Sequence, residues 1–175
     1  METYERELAA RQDDWQAARN VALVHRYLGS VYEKIDPAQS FSHLRAAVDL
    51  DARRSVTKPR DRQTQLDYSF DISMLGTYFE KRKNYTAAAE HFEKVAAIRL
   101  DLWQSEPKDT LARERLAFAF LSWGRVLALS GQPIQGRQRL GEALEHSEAL
   151  LAITGRETSR QTAERAREVL KSIRE

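Results

Sequence analysis

The sequence repeats itself with a period of about 48 residues, and this constrains the fold more than any other feature. A short pattern occurs three times, as LGSVY (28–32), LGTYF (75–79) and WGRVL (123–127). Pro59 and Pro107 are separated by the same interval, and Gly155 lies one further interval along the chain. The same spacing holds for aspartates suited to capping helices: Asp14, Asp61 and Asp109. The chain is therefore expected to consist of successive copies of one structural unit.

The composition indicates that these units are helical. Apolar residues make up 42% of the chain and charged residues 31%, with only 7 Gly and 4 Pro to interrupt long elements. Ala, Leu, Glu, Arg and Gln dominate, and these residues favour helices. The alternation of apolar and polar residues that marks a strand is nowhere sustained. We predict an all-α fold.

Each unit divides into two helices separated by a short break. The second helix carries a small residue at an equivalent position, which is expected to let two helix backbones approach closely: Ser40, Ala88 and Gly136. Helices are predicted over roughly 14–34, 37–54, 61–82, 85–104, 109–130, 133–152 and 158–173. Residues near 2–10 are predicted to be the end of a preceding second helix.

The units resemble tetratricopeptide repeats, whose pattern is W-x2-L-G-x2-Y, then A-x3-F, then P. The middle unit matches at Ile72, Leu75, Gly76, Phe79, Ala88 and Phe92, and the first at His25, Leu28, Gly29, Tyr32, Ser40 and Leu44. The third matches at Phe120, Trp123, Gly124, Leu127, Gly136 and Leu140. The resemblance implies a right-handed α-solenoid of antiparallel helix pairs. It predicts one domain over 1–175, with repeats at about 14–60, 61–108 and 109–156 and a capping helix at about 158–173.

The period is longer than the usual repeat of about 34 residues. Each helix of a pair gains about seven residues, close to two helical turns, so its inward face is kept. Such extended repeats resemble those that follow the kinase domain in some bacterial serine/threonine kinases. The sequence itself has no Gly-rich loop, H-R-D catalytic loop or D-F-G. We therefore expect a fragment from the regulatory region of a larger signalling protein.

No residue set in the sequence predicts catalysis, a cofactor or a metal site. The chain has no cysteine, and no histidine is preceded by Glu at the three-residue spacing of a di-iron helix. His43 and His91 are one repeat apart, Arg139 holds the third equivalent place, and the position is predicted to be half-exposed. A formal charge of +2 favours neither nucleic acid nor membrane as a partner. The compartment is not fixed, with the cytoplasm slightly favoured.

In tetratricopeptide proteins the first helix of each pair lines a concave groove that receives a peptide or a partner's helix, and the resemblance implies the same here. The family's groove positions correspond to Arg26, Tyr27, Ser30, Lys34, Phe70, Ser73, Met74, Thr77, Lys81, Phe118, Ser122 and Arg125. Cations beside aromatics suit a peptide with acidic and apolar side chains. The family's carboxylate clamp is not reproduced, because Ser30 and Thr77 stand where it needs Asn.

The function predicted from the sequence is that of a noncatalytic scaffold for a protein or peptide partner. The alternative is a self-association module that makes its parent a homodimer, through exposed end faces or through Trp15 and Trp103. The basic run at 53–62 is interpreted as a solvated turn between repeats, or else as a contact for an acidic partner.

Overall fold

The computed structural model describes residues 15–173, which form seven helices and no strand. The helices are α1 (Trp15–Tyr32), α2 (Pro37–Thr57), α3 (Arg62–Lys81), α4 (Tyr85–Ser105), α5 (Thr110–Leu129), α6 (Pro133–Thr154) and α7 (Glu157–Ser172). The all-α prediction is confirmed, and every predicted helix end lies within three residues of the observed one. The predicted segment 2–10 and the predicted cap Asp14 lie outside the described residues.

Helix ends fall where the local sequence supplies partners for unpaired backbone groups. The Asp109 side chain accepts hydrogen bonds from two backbone N–H groups of α5, at 2.9 Å each. Asp61 accepts from the backbone N–H of Thr64 at 2.7 Å. Pro37 and Pro133 begin α2 and α6, where a missing N–H costs nothing. The caps predicted at 61 and 109 are therefore confirmed.

The chain groups into two compact units, Met1–Tyr78 and Phe79–Glu175. In the first unit α1 packs against α2; in the second, α4 packs against α5, α5 against α6, and α6 against α7. The turns between these helices are short, so consecutive helices that pack together run antiparallel. The architecture is that of an α-solenoid of helix pairs. The single-domain assignment and the handedness remain predictions.

Helix pairs approach closely at the predicted small residues. In the first unit the Ser40 hydroxyl donates to the Gly29 carbonyl at 2.7 Å. A Cβ atom on Gly29 would lie 2.6 Å from Leu44 Cδ2, which is too near for van der Waals contact. In the second unit a Cβ atom on Gly124 would lie 2.9 Å from the carbonyl oxygen of Gly136. At Gly124 the absence of a side chain is thus required by packing, because the added carbon would meet backbone atoms of the neighbouring helix.

The core of the second unit includes contacts between α4 and α5. It contains a buried cluster from α4 and α5: Ala88, Ala89, Phe92, Val126 and Leu127. Phe79 and Trp123 are partly buried and pack against this cluster. Trp123, a residue of the repeat pattern, thus packs against the core, and one face of its ring takes part in the cleft described below.

Gly124→Ala is expected to destabilise the protein by about 1–3 kcal/mol, because the added methyl group meets backbone atoms that cannot move aside. The matched control is Gly141→Ala in α6, where nothing lies within 4 Å of the added methyl group. This control should stabilise the protein by about 0.5–1 kcal/mol through helix propensity. Urea denaturation of both variants measures the difference. Stabilisation by both would contradict the close approach.

Candidate protein-binding surfaces

Ion pairs join first helices that are about one repeat apart in sequence. Within the first unit, the Arg19 Nε of α1 lies 2.6 Å from the Asp67 carboxylate of α3, and Arg26 pairs with Asp71. Within the second unit the pairs are Arg125–Glu80 at 2.8 Å and Arg156–Glu114 at 3.0 Å. Neighbouring first helices are therefore tied laterally by side chains as well as through the second helices.

In the first unit these pairs extend into a buried ionic network. Arg54 Nη1 lies 2.5 Å from one carboxylate oxygen of Asp51 and 3.6 Å from one of Asp67. Arg26 is 18% exposed and reaches both Asp71 and Asp51. Three carboxylates are thus met by three guanidinium groups, those of Arg19, Arg26 and Arg54. This network was not predicted from the sequence, and the prediction that Arg54 is solvated with the rest of the basic run is wrong, because its side chain is buried.

Asp51 and Asp71 form a carboxyl pair inside this network. Both side chains are buried, and the Oδ2 atom of each has no hydrogen-bond donor. Burial raises the pKa of Asp71 to about 8, against the opposing effect of the Arg26 guanidinium, and a hydrogen bond with Asp51 raises it further. A proton on Asp71 supplies the donor that the two oxygens lack. We therefore expect the pair to hold one proton near neutral pH.

The predicted groove residues differ in how far they are exposed. The exposed ones are Tyr27, Ser30, Lys34, Lys81, Phe118 and Arg125. The half-buried ones are Arg26, Phe70, Ser73, Met74 and Thr77, and Ser122 is buried. In the first unit the Arg26 guanidinium lies 5.8 Å from the centre of the Phe70 ring, so these two residues are brought together. Their role in binding a partner remains a prediction.

A cleft that the sequence did not predict lies between α4 and α6 in the second unit. Its volume is about 390 Å³, and an adjoining space of about 420 Å³ shares Glu93, Trp123 and Arg139 with it. The Arg139 guanidinium lies 4.5 Å from the centre of the Trp123 ring and donates from Nη1 to both oxygens of Glu142 at 2.8 Å. We call this space the α4–α6 cleft. The repeat alone gave no signal for it, because its shape depends on the spacing of two second helices.

His146 closes one end of the α4–α6 cleft. Its ring stacks on Phe120 and meets the ring of Trp103 edge-on. Its Nδ1 accepts from Arg113 Nε at 3.2 Å, so the proton of the neutral ring is on Nε2. Burial lowers the pKa of His146, and the Arg113 charge lowers it further. The ring is therefore neutral near pH 7.

The remaining histidines do not form a site with catalytic geometry. His25 Nδ1 and His43 Nδ1 lie 3.0 Å apart, so one of the two nitrogens must carry the proton. His43, His91 and Arg139 are all half-buried, as predicted for their repeated position. Within residues 15–173 no group of three or more His, Asp or Glu side chains is placed to hold a metal ion. No helix in this range is long and apolar enough to cross a membrane.

Asp71→Asn tests the shared proton, because an amide N–H can donate to Asp51 as the protonated carboxyl does. The raised pKa of folded Asp71 makes its stabilising contribution full below the unfolded pKa near 3.8 and progressively lost as pH rises to about 8. The Asn variant lacks this loss. Its stability relative to wild type should therefore rise from pH 5 to 8, by up to about 1.4 kcal/mol per pH unit.

Urea denaturation at several pH values measures this difference. Asp101→Asn, at an exposed position of α4, is the matched control and should differ from wild type by a constant amount over the same range. A difference for Asp71→Asn that does not change with pH would rule out the shared proton.

No family model matches the chain, and no curated protein matches it. Among solved structures, the chain is similar to "DHF58 filament" at 15% identity, over 98% of this chain and 91% of that one, with a TM-score of 0.44. It is similar to a structure described as "Crystal structure of de novo designed helical repeat protein DHR64" at 15% identity, over 98% and 88%, with a TM-score of 0.39. The helical-repeat architecture is the part of the family prediction that stands, and membership of the tetratricopeptide family remains a prediction.

Proposed function

We propose that this chain is a noncatalytic, tetratricopeptide-type scaffold whose first helices bind an extended peptide or a partner's helix. The observation that carries the proposal is the recurring helix pair, held together by small-residue contacts and joined laterally by ion pairs. Within each unit, such a framework keeps exposed side chains at fixed spacings along neighbouring helices. Binding to a rigid surface loses less conformational entropy than binding to a mobile one.

The chemistry of the proposed partner follows from the exposed side chains of each unit. In the first unit Tyr27 is 70% exposed and Lys34 is exposed; in the second, Phe118 is 45% exposed and Lys81 and Arg125 are exposed. Aromatic and basic side chains together suit a peptide that carries acidic and apolar residues. The absence of the family's carboxylate clamp favours an internal segment of the partner over its C-terminus.

The length of the repeat supports a narrower proposal. Helix pairs with this extended period resemble those of some bacterial serine/threonine kinases. We infer that the parent protein is a larger signalling protein such as a kinase, in which this chain is a regulatory region. Binding of a peptide here would then report the partner's presence to a separate catalytic domain.

A stripe of exposed apolar residues on α1 and the turn that follows it favours self-association as a second candidate function. The stripe consists of Val24, Tyr27, Val31 and Ile35, which are 42%, 70%, 41% and 72% exposed. The spacing of Val24, Tyr27 and Val31 places them on one side of the helix. The stripe includes no charge that a second copy would have to neutralise. Two α1 helices related by a two-fold axis would therefore bury the apolar stripe of one copy against the same stripe of the other.

A labelled synthetic peptide with alternating Glu and Leu residues tests the scaffold proposal by fluorescence anisotropy. The double variant Lys34→Glu with Lys81→Glu should weaken binding about tenfold, because each change replaces attraction by repulsion. Arg26 is unsuited to this test, since its substitution would disrupt the buried network. The control Lys108→Glu with Lys171→Glu makes the same change in net charge at exposed positions elsewhere. Equal loss in both double variants would contradict the proposal.

Sedimentation velocity over a wide concentration range tests self-association. We expect Val31→Glu to shift a dimer to monomer, because a carboxylate would be buried between two copies. Val56→Glu places the same charge at an 80% exposed position of α2 and should leave the dimer intact. A wild-type protein that stays monomeric at the highest concentration removes this candidate.

A further inference from the structure

The α4–α6 cleft lies on a different side of α5 from the residues assigned to partner binding. Phe118 and Arg125 lie on one side of the helix, whereas Phe120, Trp123 and Leu127 lie about half a turn away, at about 100° per residue. The cleft is therefore a separate surface of the second unit. It is not explained by the proposed function.

The floor of the cleft is apolar and large enough to receive a side chain from outside. Phe120 and Trp123 of α5 form the floor, with Ala97 and Leu100 of α4 at its edge. The volume of about 390 Å³ is in the range of sites that bind small molecules or the anchoring side chains of a partner. Trp is the side chain most often found at the energetic centre of such contacts.

The charges along the cleft are predominantly negative. The lining of the cleft and of the adjoining space of about 420 Å³ together carries the carboxylates of Glu90, Glu93 and Glu142, against the single guanidinium of Arg139. His146 is neutral for the reasons given above. Glu90 and Glu93 are exposed and have no ion-pair partner among the described residues. The formal charge of the lining is therefore −2, although the whole chain carries +2.

Arg139 already displays how a cation is held in this cleft. Its guanidinium lies over the Trp123 ring and is paired with Glu142, and together these contacts combine a cation–π interaction with a salt bridge. The Nε atom of Arg139 is buried and has no acceptor within the described part of the chain.

We propose that the α4–α6 cleft binds a basic amphipathic segment of a partner protein. An apolar side chain of that segment rests on Trp123 and Phe120. A lysine or arginine one helical turn away pairs with Glu90 and Glu93, and its aliphatic stem covers Ala97. A second copy of this chain is a poorer occupant, because the exposed stripe of α1 is free of charge and offers nothing to these carboxylates.

Two labelled helical peptides of equal length test the proposal with the full chain. They share their leucine and alanine positions, but one carries lysine where the other carries glutamate. We expect fluorescence anisotropy to show binding of the lysine peptide and none of the glutamate peptide. In ¹H–¹⁵N spectra the lysine peptide should shift the Trp123 indole and the Ala97 amide.

Glu93→Lys should weaken binding of the lysine peptide by about tenfold or more, because it reverses a charge at the contact. Glu164→Lys on α7 makes the same change in net charge at an exposed position and should leave binding little changed. The double variant Lys34→Glu with Lys81→Glu should also leave it little changed, which separates this site from the proposed first-helix surface.

Three results would overturn the proposal. The first is equal binding of the two peptides, or no binding of either. The second is equal weakening by Glu93→Lys and Glu164→Lys, which would mean that only net charge matters. The third is a set of spectral shifts confined to residues outside the cleft.

Discussion

The close approach of two helices at a residue without a side chain is the contact on which this structure depends. At Gly124 and Gly136 the backbones come so near that an added methyl group would meet a carbonyl oxygen at 2.9 Å. A contact this short fixes the position of one helix along the other, since sliding by one residue would bring a larger side chain between them. The long period is compatible with this fixed crossing. Both helices extend by about two turns from the fixed crossing, so the added residues meet each other in matching positions.

Much of the fold could be predicted from the sequence because it depends on local or periodic signals. Capping aspartates, prolines at helix starts and the glycine pattern are each read within a few residues, and they placed all seven helices. The small residue opposite each glycine followed from aligning the repeats. These signals do not require knowledge of which side chains from distant helices face each other. That is why helix ends were predicted well, whereas the surroundings of charged residues were not.

The ionic network escaped prediction because burial of a charge depends on its partner across the repeat boundary. In sequence, Asp51, Asp67 and Asp71 resemble the many acidic residues on solvated helix faces. The equivalent positions after Asp51 are Arg99 and Ser147, and all three are buried. Arg99 donates to the Arg115 carbonyl at 3.0 Å. One repeated position thus has an acidic, a basic and a neutral occupant, and the polar groups of each side chain have different hydrogen-bond partners.

This variation bears on what the network contributes. The cost of burying charges largely offsets their attraction, so the ion pairs of this network add little net stability over a packed apolar contact. They do penalise any other pairing of helices, because a displaced aspartate or arginine would be buried without a partner. We infer that the network specifies which helices adjoin in the first unit, while the glycine contacts determine how closely each pair packs. Arg26 connects this network with the candidate surface, because its guanidinium pairs with Asp71 and also lies over the Phe70 ring.

The two sides of α5 show how such a scaffold can present two surfaces from one helix. Phe118 and Arg125 belong to the side proposed to bind an acidic peptide, and Trp123 belongs to the cleft proposed to bind a basic one. The helical repeat separates these side chains by about half a turn, so the opposite charges do not cancel each other. Substitutions on one side can therefore change the binding of one partner without changing the binding of the other. A scaffold that binds two partners of opposite charge needs no catalytic group, because holding them at a fixed distance raises the effective concentration of each for the other.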